Sequence, residues 1–145
     1  MTPDLDKKLR AAYPLVFPEP LLNDEPIRCG DGWYYILDML CRDLQALIEK
    51  AAPEERHRLR AVQVKEKFGV LRFYLDRTPY DPEHPQHEVA CVIAGAEWCS
   101  GIFCDVCGKP GAMRSGEGVE RPMLMRTRCD DHVNWFGPQG FAHAT

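Results

Sequence analysis

Three cysteines and one histidine towards the carboxyl end carry the clearest chemistry in this chain. They stand as Cys104-Asp-Val-Cys107 and Cys129-Asp-Asp-His132, two pairs with two residues between the ligands of each. That gap lets a tight turn bring both side chains of a pair onto one ion. Three thiolates at about 2.3 Å and one imidazole at about 2.0 Å make a tetrahedral donor set for structural Zn²⁺. Four protein ligands leave no position for a reactive water, so the spacing predicts one structural zinc per chain. Cys99, five residues before Cys104, and His143 in the tail are the two residues able to replace a ligand.

Two other chemistries use similar residues. A redox Cys-x-x-Cys needs a helix N-terminus to lower its thiol pKa, whereas Gly108-Lys-Pro110 stops a helix directly after Cys107. A metal-dependent nuclease built on a treble-clef hairpin and helix would need His132 as general base, and His132 is already a ligand. Asp130, Asp131 and Asn134 fall on one helical turn and diverge, so they make a poor second metal site. No catalytic residue is assigned, and the chain reads as a binding protein rather than an enzyme.

The elements that must position these ligands follow from periodicity. Pro3, Pro14, Pro18, Pro20 and Pro26 limit residues 1–27 to a short helix near Leu5 to Tyr13 and an arm laid on the core through Leu15, Val16, Phe17, Leu21 and Leu22. Asp31 in Gly30-Asp-Gly-Trp33 is the expected N-cap of a core helix, in which Trp33, Ile36, Leu37, Leu40, Cys41, Leu44, Leu47 and Ile48 recur at helical spacing. Asp38 and Arg42 are expected to pair on its outer side. Residues 62–75 alternate as a β-hairpin turning at Lys67-Phe68-Gly69, with Leu71, Phe73 and Leu75 facing the helix. The stretch Thr78 to Pro85 reads as a stiff linker in which His84, like His87 beyond it, is a surface residue. A second, largely buried helix follows from about Gln86 to about Ser100, with Val89, Ala90, Val92, Ile93, Ala96 and Trp98 inside and Cys91 within the same apolar pattern.

The last part has treble-clef order: a knuckle at Cys104 to Gly108, a hairpin from Ala112–Arg114 to Leu124–Arg128 with its tip at Ser115 to Glu120, and a helix opening at Cys129. The fold class is therefore α+β, with a helix, a hairpin and a second helix forming the core before a small treble-clef or zinc-ribbon-like Cys3His lobe. Residues 1–27 form the arm, 28–103 the α-β-β-α core and 104–145 the lobe.

A chain of 145 residues with net charge −4 and pI near 5.7 lacks the basic excess of a dedicated nucleic-acid binder. Neither its charged start nor any apolar run has the form of a signal peptide or membrane span, which predicts a cytoplasmic protein. Seven cysteines, an odd number, fit a reducing compartment in which Cys29, Cys41, Cys91 and Cys99 stay as thiols. Two basic sets remain as candidate interaction surfaces. Lys65, Lys67 and Arg72 interleave with Phe68 and Tyr74 on the hairpin, a pattern that single-strand RNA platforms share, although Glu66 and Asp76 oppose it. Arg126 and Arg128 alternate on one strand of the lobe, in which five basic residues in all stand against five acidic ones.

Four stretches together, Cys29-Gly-Asp-Gly-Trp33, Gln63-Val-Lys-Glu-Lys-Phe-Gly69 with Leu71-Arg-Phe-Tyr74, Cys104-Asp-Val-Cys-Gly-Lys-Pro-Gly111 and Arg128-Cys-Asp-Asp-His132, resemble a family of small proteins of tailed phages, prophages and bacterial genomes. Its members mostly lack an assigned function and usually carry a second glycine at the position of Val70. The resemblance implies an accessory protein of a phage or mobile element and supplies no catalytic residues. With the acidic balance and the closed metal site, it leads to the expectation of a zinc-stabilised protein that binds and inhibits a host or defence protein, such as a CRISPR effector. A nucleic-acid-binding zinc module is the second expectation, and a treble-clef nuclease the third.

Overall fold

The computed structural model describes residues 1–18, 25–76, 86–115 and 125–133. Expectations for Leu21, Leu22, the Thr78 to Pro85 linker with His84, the hairpin tip beyond Ser115, Leu124, Asn134 and His143 lie outside these residues. The fold is α+β. In chain order it contains α1 (Pro3–Ala12), α2 (Tyr34–Lys50) entered through a 3₁₀ turn (Asp31–Trp33), β1 (Ala61–Lys67), β2 (Val70–Leu75), α3 (Gln86–Ser100), β3 (Ala112–Ser115), β4 (Met125–Arg128) and a 3₁₀ turn (Asp130–His132). Each strand pair is an antiparallel two-stranded sheet.

Helix α2 buries Leu37, Leu40, Cys41, Leu44 and Ile48, a stripe at three- and four-residue intervals, and ends before Pro53. Against it pack Leu9 of α1, Val16 and Phe17 of the arm, and Leu71, Phe73 and Leu75 of β2. Pro3 opens α1, where its missing N–H removes nothing, and Asp4 and Asp6 complement the helix dipole. Asp6 also accepts from the Ile27 amide at 3.0 Å and pairs with Arg10, whose guanidinium donates to Glu25 O at 2.9 Å. The arm is thereby tied to the segment that runs beside β1.

Both edges of the β1–β2 sheet are covered. Beyond β1, Arg28 N donates to Val64 O at 2.9 Å and Glu66 N to Arg28 O at 2.8 Å. Beyond β2, Leu71 N donates to Ser100 Oγ at 2.8 Å and Phe73 N to Glu97 Oε1 at 3.3 Å, so α3 side chains take the place of a further strand. The turn between the strands holds Phe68 at φ 55° and Gly69 at φ 83°, the double left-handed conformation of a type I′ turn.

Three local expectations change. Asp31 is not an N-cap: it begins the 3₁₀ turn and its carboxylate accepts from Thr2 N at 2.7 Å, because the glycine loop is turned inward. Asp38 does not pair with Arg42. It accepts from Tyr13 OH at 2.8 Å, while Arg42 turns to Asp43. Burial together with the Asp38 carboxylate pushes the Tyr13 phenol up to about 12. Helix α3 is not largely buried, because it lies along one sheet edge and encloses mainly Val89, Ala96 and Ser100. Trp98 is 69% exposed, and Cys91 is also exposed, with Sγ 3.6 Å from His87 Nδ1.

Candidate metal centre

The knuckle forms because its backbone closes on itself. Cys104 N donates to Lys109 O and Gly108 N to Cys104 O, both at 2.8 Å, while Phe103 bridges Pro110 and Gly111 N reaches Ile102 O at 2.9 Å. Gly108 turns the chain at φ +73°, a conformation that side chains disfavour. On the other side, His132 N donates to Cys129 O at 3.0 Å, which folds the second pair into a single turn. The β3–β4 hairpin joins the two, and Asp105 N donates to Thr127 O at 3.1 Å to dock the knuckle on β4.

This brings Cys104, Cys107, Cys129 and His132 together, with ligand atoms that all lie within 4.8 Å of one another. Cys107 Sγ is 3.6 Å from Cys129 Sγ, and His132 Nδ1 is 3.6 Å from Cys104 Sγ and 3.2 Å from Cys129 Sγ. Tetrahedral bonds of about 2.3 Å to sulfur and 2.0 Å to nitrogen give edges of about 3.5–3.8 Å, close to these three separations. They can hold a metal ion. Cys99 is outside this group.

Local electrostatics prepare the donors. Burial raises the Cys104 thiol, but hydrogen bonds from the backbone at Cys129, Cys107 and Val106 outweigh it and hold its pKa down to about 7. The Cys107 thiol is pushed upward by desolvation and by its neighbouring sulfurs. Two ion pairs tie the halves of the site across its surface: Lys109 to Asp131 at 2.9 Å and Arg114 to Asp130 at 2.7 Å. Asp130 and Asp131 thereby each link to the opposite half of the site. The helix expected to open at Cys129 is, within the described residues, one 3₁₀ turn.

Sequence reasoning missed the support behind the ligands. A Cβ on Gly32 would stand 2.3 Å from Cys104 O, 2.5 Å from Gly108 N and 2.6 Å from Cys107 N, and one on Gly30 only 1.9 Å from Asp105 O. Gly32 N donates to Asp105 O at 2.9 Å, so the loop before α2 is pressed against the knuckle backbone. Glu66 does the same for the other half. Its Oε1 accepts from Gly69 N at 2.7 Å and its Oε2 from Arg126, while Thr127 Oγ1 donates to Gly69 O at 2.6 Å. The four stretches singled out in the sequence meet at this junction.

The candidate interaction residues separate. Arg126 and Arg128 do not form a basic face: Arg126 is enclosed with Glu66, and Arg128 is buried with Asp105, whose carboxyl burial pushes up to about 6 despite that partner. Alternation put both on one strand, but the knuckle and the first hairpin cover them. Lys65, Lys67, Arg72 and Tyr74 remain together on the outer face of the β1–β2 hairpin, with Arg72 paired to Glu97 at 2.6 Å.

Comparison with known family models, curated proteins and solved structures gives no match for this chain. Among the described residues, no helix is long and apolar enough to cross a membrane.

Proposed function

We propose that this chain is a zinc-structured, non-enzymatic binding protein that acts by docking on another protein. The observation that carries the reading is the closed set of four protein ligands. Three sulfurs and one imidazole nitrogen gathered within 4.8 Å of one another suit Zn²⁺, which has no geometric preference of its own and takes such donors in structural sites. With all four corners supplied by the chain, the ion shapes the fold and activates no water. Asp130 and Asp131, the groups nearest to a second site, are held in ion pairs.

Surface composition supports docking. Tyr35 and Met39 lie one turn apart on α2 at 77% and 57% exposure, a concentration of large apolar groups on a helix whose other face fills the core. The resemblance to phage and mobile-element proteins suggests the partner class, a host or defence protein such as a CRISPR effector, with inhibition by occlusion. The test is affinity capture with the zinc-loaded chain, followed by reconstitution with the purified candidate in nuclease-treated buffer. A stoichiometric protein complex weakened by Tyr35→Ala with Met39→Ala supports the reading; recovery of nucleic acid alone overturns it.

A further inference from the structure

We propose that the outer face of the β1–β2 hairpin, built from Lys65, Lys67, Phe68 and Tyr74, is a binding site for single-stranded nucleic acid. The register pairs Gln63 with Tyr74, Lys65 with Arg72 and Lys67 with Val70, which sets all six side chains on the face opposite Leu71 and Phe73. The Lys65 ammonium lies over the Tyr74 ring, 5.3 Å from its centroid, and the Lys67 ammonium over the Phe68 ring at 5.4 Å. Neither lysine forms an ion pair among the described residues. Arg72 beside them is compensated by Glu97, and Lys109, Arg114, Arg126 and Arg128 of the lobe each have a carboxylate partner.

Among the described residues the face thus offers two cations outside any ion pair, with the Glu25 carboxylate held at its edge by Gln63 at 2.9 Å, on a protein of net charge −4. Two residues along a strand separate them by about 6.7 Å, a repeat that an extended chain of phosphates can follow. Tyr74 and Phe68 stand at the ends of the row, 39% and 49% exposed. A base can stack on each ring as its lysine moves from the ring to a phosphate. Duplex bases are stacked on one another and offer no such faces, and an acidic peptide would use the lysines but leave the rings idle. Phe68 adds a second observation. It holds a bulky ring in the left-handed backbone region, at φ 55°, where Asn or Gly is the ordinary choice, and half of that ring stays in solvent instead of filling the core.

The site goes beyond the protein-docking reading and uses different residues, so either can fail alone. Fluorescence anisotropy of labelled oligothymidine and oligouridine with the full zinc-loaded chain tests it. Affinity should fall with salt at a logarithmic slope of about −1.4, for two phosphates neutralised on a single strand. Lys65→Gln with Lys67→Gln should weaken binding about tenfold at low salt and flatten that slope. Tyr74→Ala should weaken it about fivefold or more with the slope kept, and Lys50→Gln, on α2, should change nothing. Circular dichroism and metal content confirm that each variant is folded. No binding at low salt, equal binding of duplex or of polyglutamate, or a double lysine variant that binds like the parent overturns the proposal.

Discussion

Trp33 donates its indole Nε1 hydrogen to the carbonyl of Phe103 at 2.8 Å, and Phe103 immediately precedes the ligand Cys104. Trp33 is fully buried at the entry to α2, so the first residue of the core helix stripe and the first metal ligand are held through one hydrogen bond. With Gly32 N on Asp105 O, this makes the knuckle part of the foundation of α2. The lobe is not an appendage whose order concerns only itself.

Metal removal should therefore act beyond the ligand loops. The described residues of 104–115 and 125–133 bury few apolar side chains with which to offset ordering entropy of about 1–2 kcal/mol per residue, whereas structural zinc supplies about 10–16 kcal/mol. We expect one zinc per chain by metal analysis. Chelation should release amide protection at Asp105, Gly108 and His132, and at Gly32, while Leu40 to Ile48 stay protected. Because the Cys104 thiol is held down to about 7, the thiolate form is favoured above that pH. Protons compete for it as pH falls below about 7, so zinc release should rise with acid. Full protection of Gly32 in metal-free protein would show that the knuckle holds without an ion.

Two glycine substitutions should move stability in opposite directions. Gly32→Ala places a methyl within 2.6 Å of three backbone atoms of the knuckle, none of which can swing aside as a side chain would. We expect a loss of at least about 3 kcal/mol in urea unfolding, with weaker zinc retention. Gly95 lies inside α3, and an added Cβ meets nothing within 4 Å. Gly95→Ala should gain about 0.5–1 kcal/mol through helix propensity. A Gly32→Ala protein as stable as the parent would mean that loop and knuckle are not in the described contact.

The cysteines should report the same architecture. Burial pushes the Cys29 thiol up to about 12 and raises that of Cys41 as well, so both stay unreactive in the native protein. A maleimide should modify exposed Cys91 first and half-buried Cys99 more slowly. After chelation Cys104, Cys107 and Cys129 should join them, leaving Cys29 and Cys41 for denaturant. Mass spectrometry of the labelled chain reads each step, and labelling of Cys107 with zinc bound would argue against its being a ligand.

The Cys3His cluster was legible in the sequence because its geometry is local: two residues between paired side chains fix a turn whatever surrounds it. The α2 stripe and the β1–β2 hairpin were legible for the same reason, since periods of 3.6 and 2 are properties of short windows. Interactions across long separations were not. Nothing near Asp31 announces that its carboxylate meets Thr2, and the alternation of Arg126 and Arg128 cannot reveal the Glu66 and Asp105 that enclose them. Trp98 misled for a related reason, because α3 meets the sheet edge through Ser100 and Glu97 and the core through Val89 and Ala96, which leaves Trp98 exposed. Gly30 and Gly32 did carry a signal, as two glycines around one residue before a helix commonly mark a close approach of another backbone.

Glu66 gives the last prediction, because it joins the hairpin turn to the strand that ends at Arg128, just before Cys129. One carboxylate oxygen accepts from Gly69 N at 2.7 Å and the other from Arg126, and the side chains of Glu66 and Arg126 are only 14% and 16% exposed. Glu66→Ala removes both acceptors at once and leaves a largely enclosed guanidinium without this counter-charge, which costs about 3–5 kcal/mol in comparable buried pairs. Glu66→Gln keeps an oxygen for Gly69 N and loses only the charge, so about 1–2 kcal/mol is expected. Urea unfolding of the zinc-loaded proteins should rank them parent, Gln, Ala. The Ala variant should also lose amide protection at Gly69 and Thr127 before Leu44 and Ile48 are affected. If both variants unfold within about 0.5 kcal/mol of the parent, the ion pair is a surface contact, and the junction between hairpin and metal site must rest on Thr127 and the backbone alone.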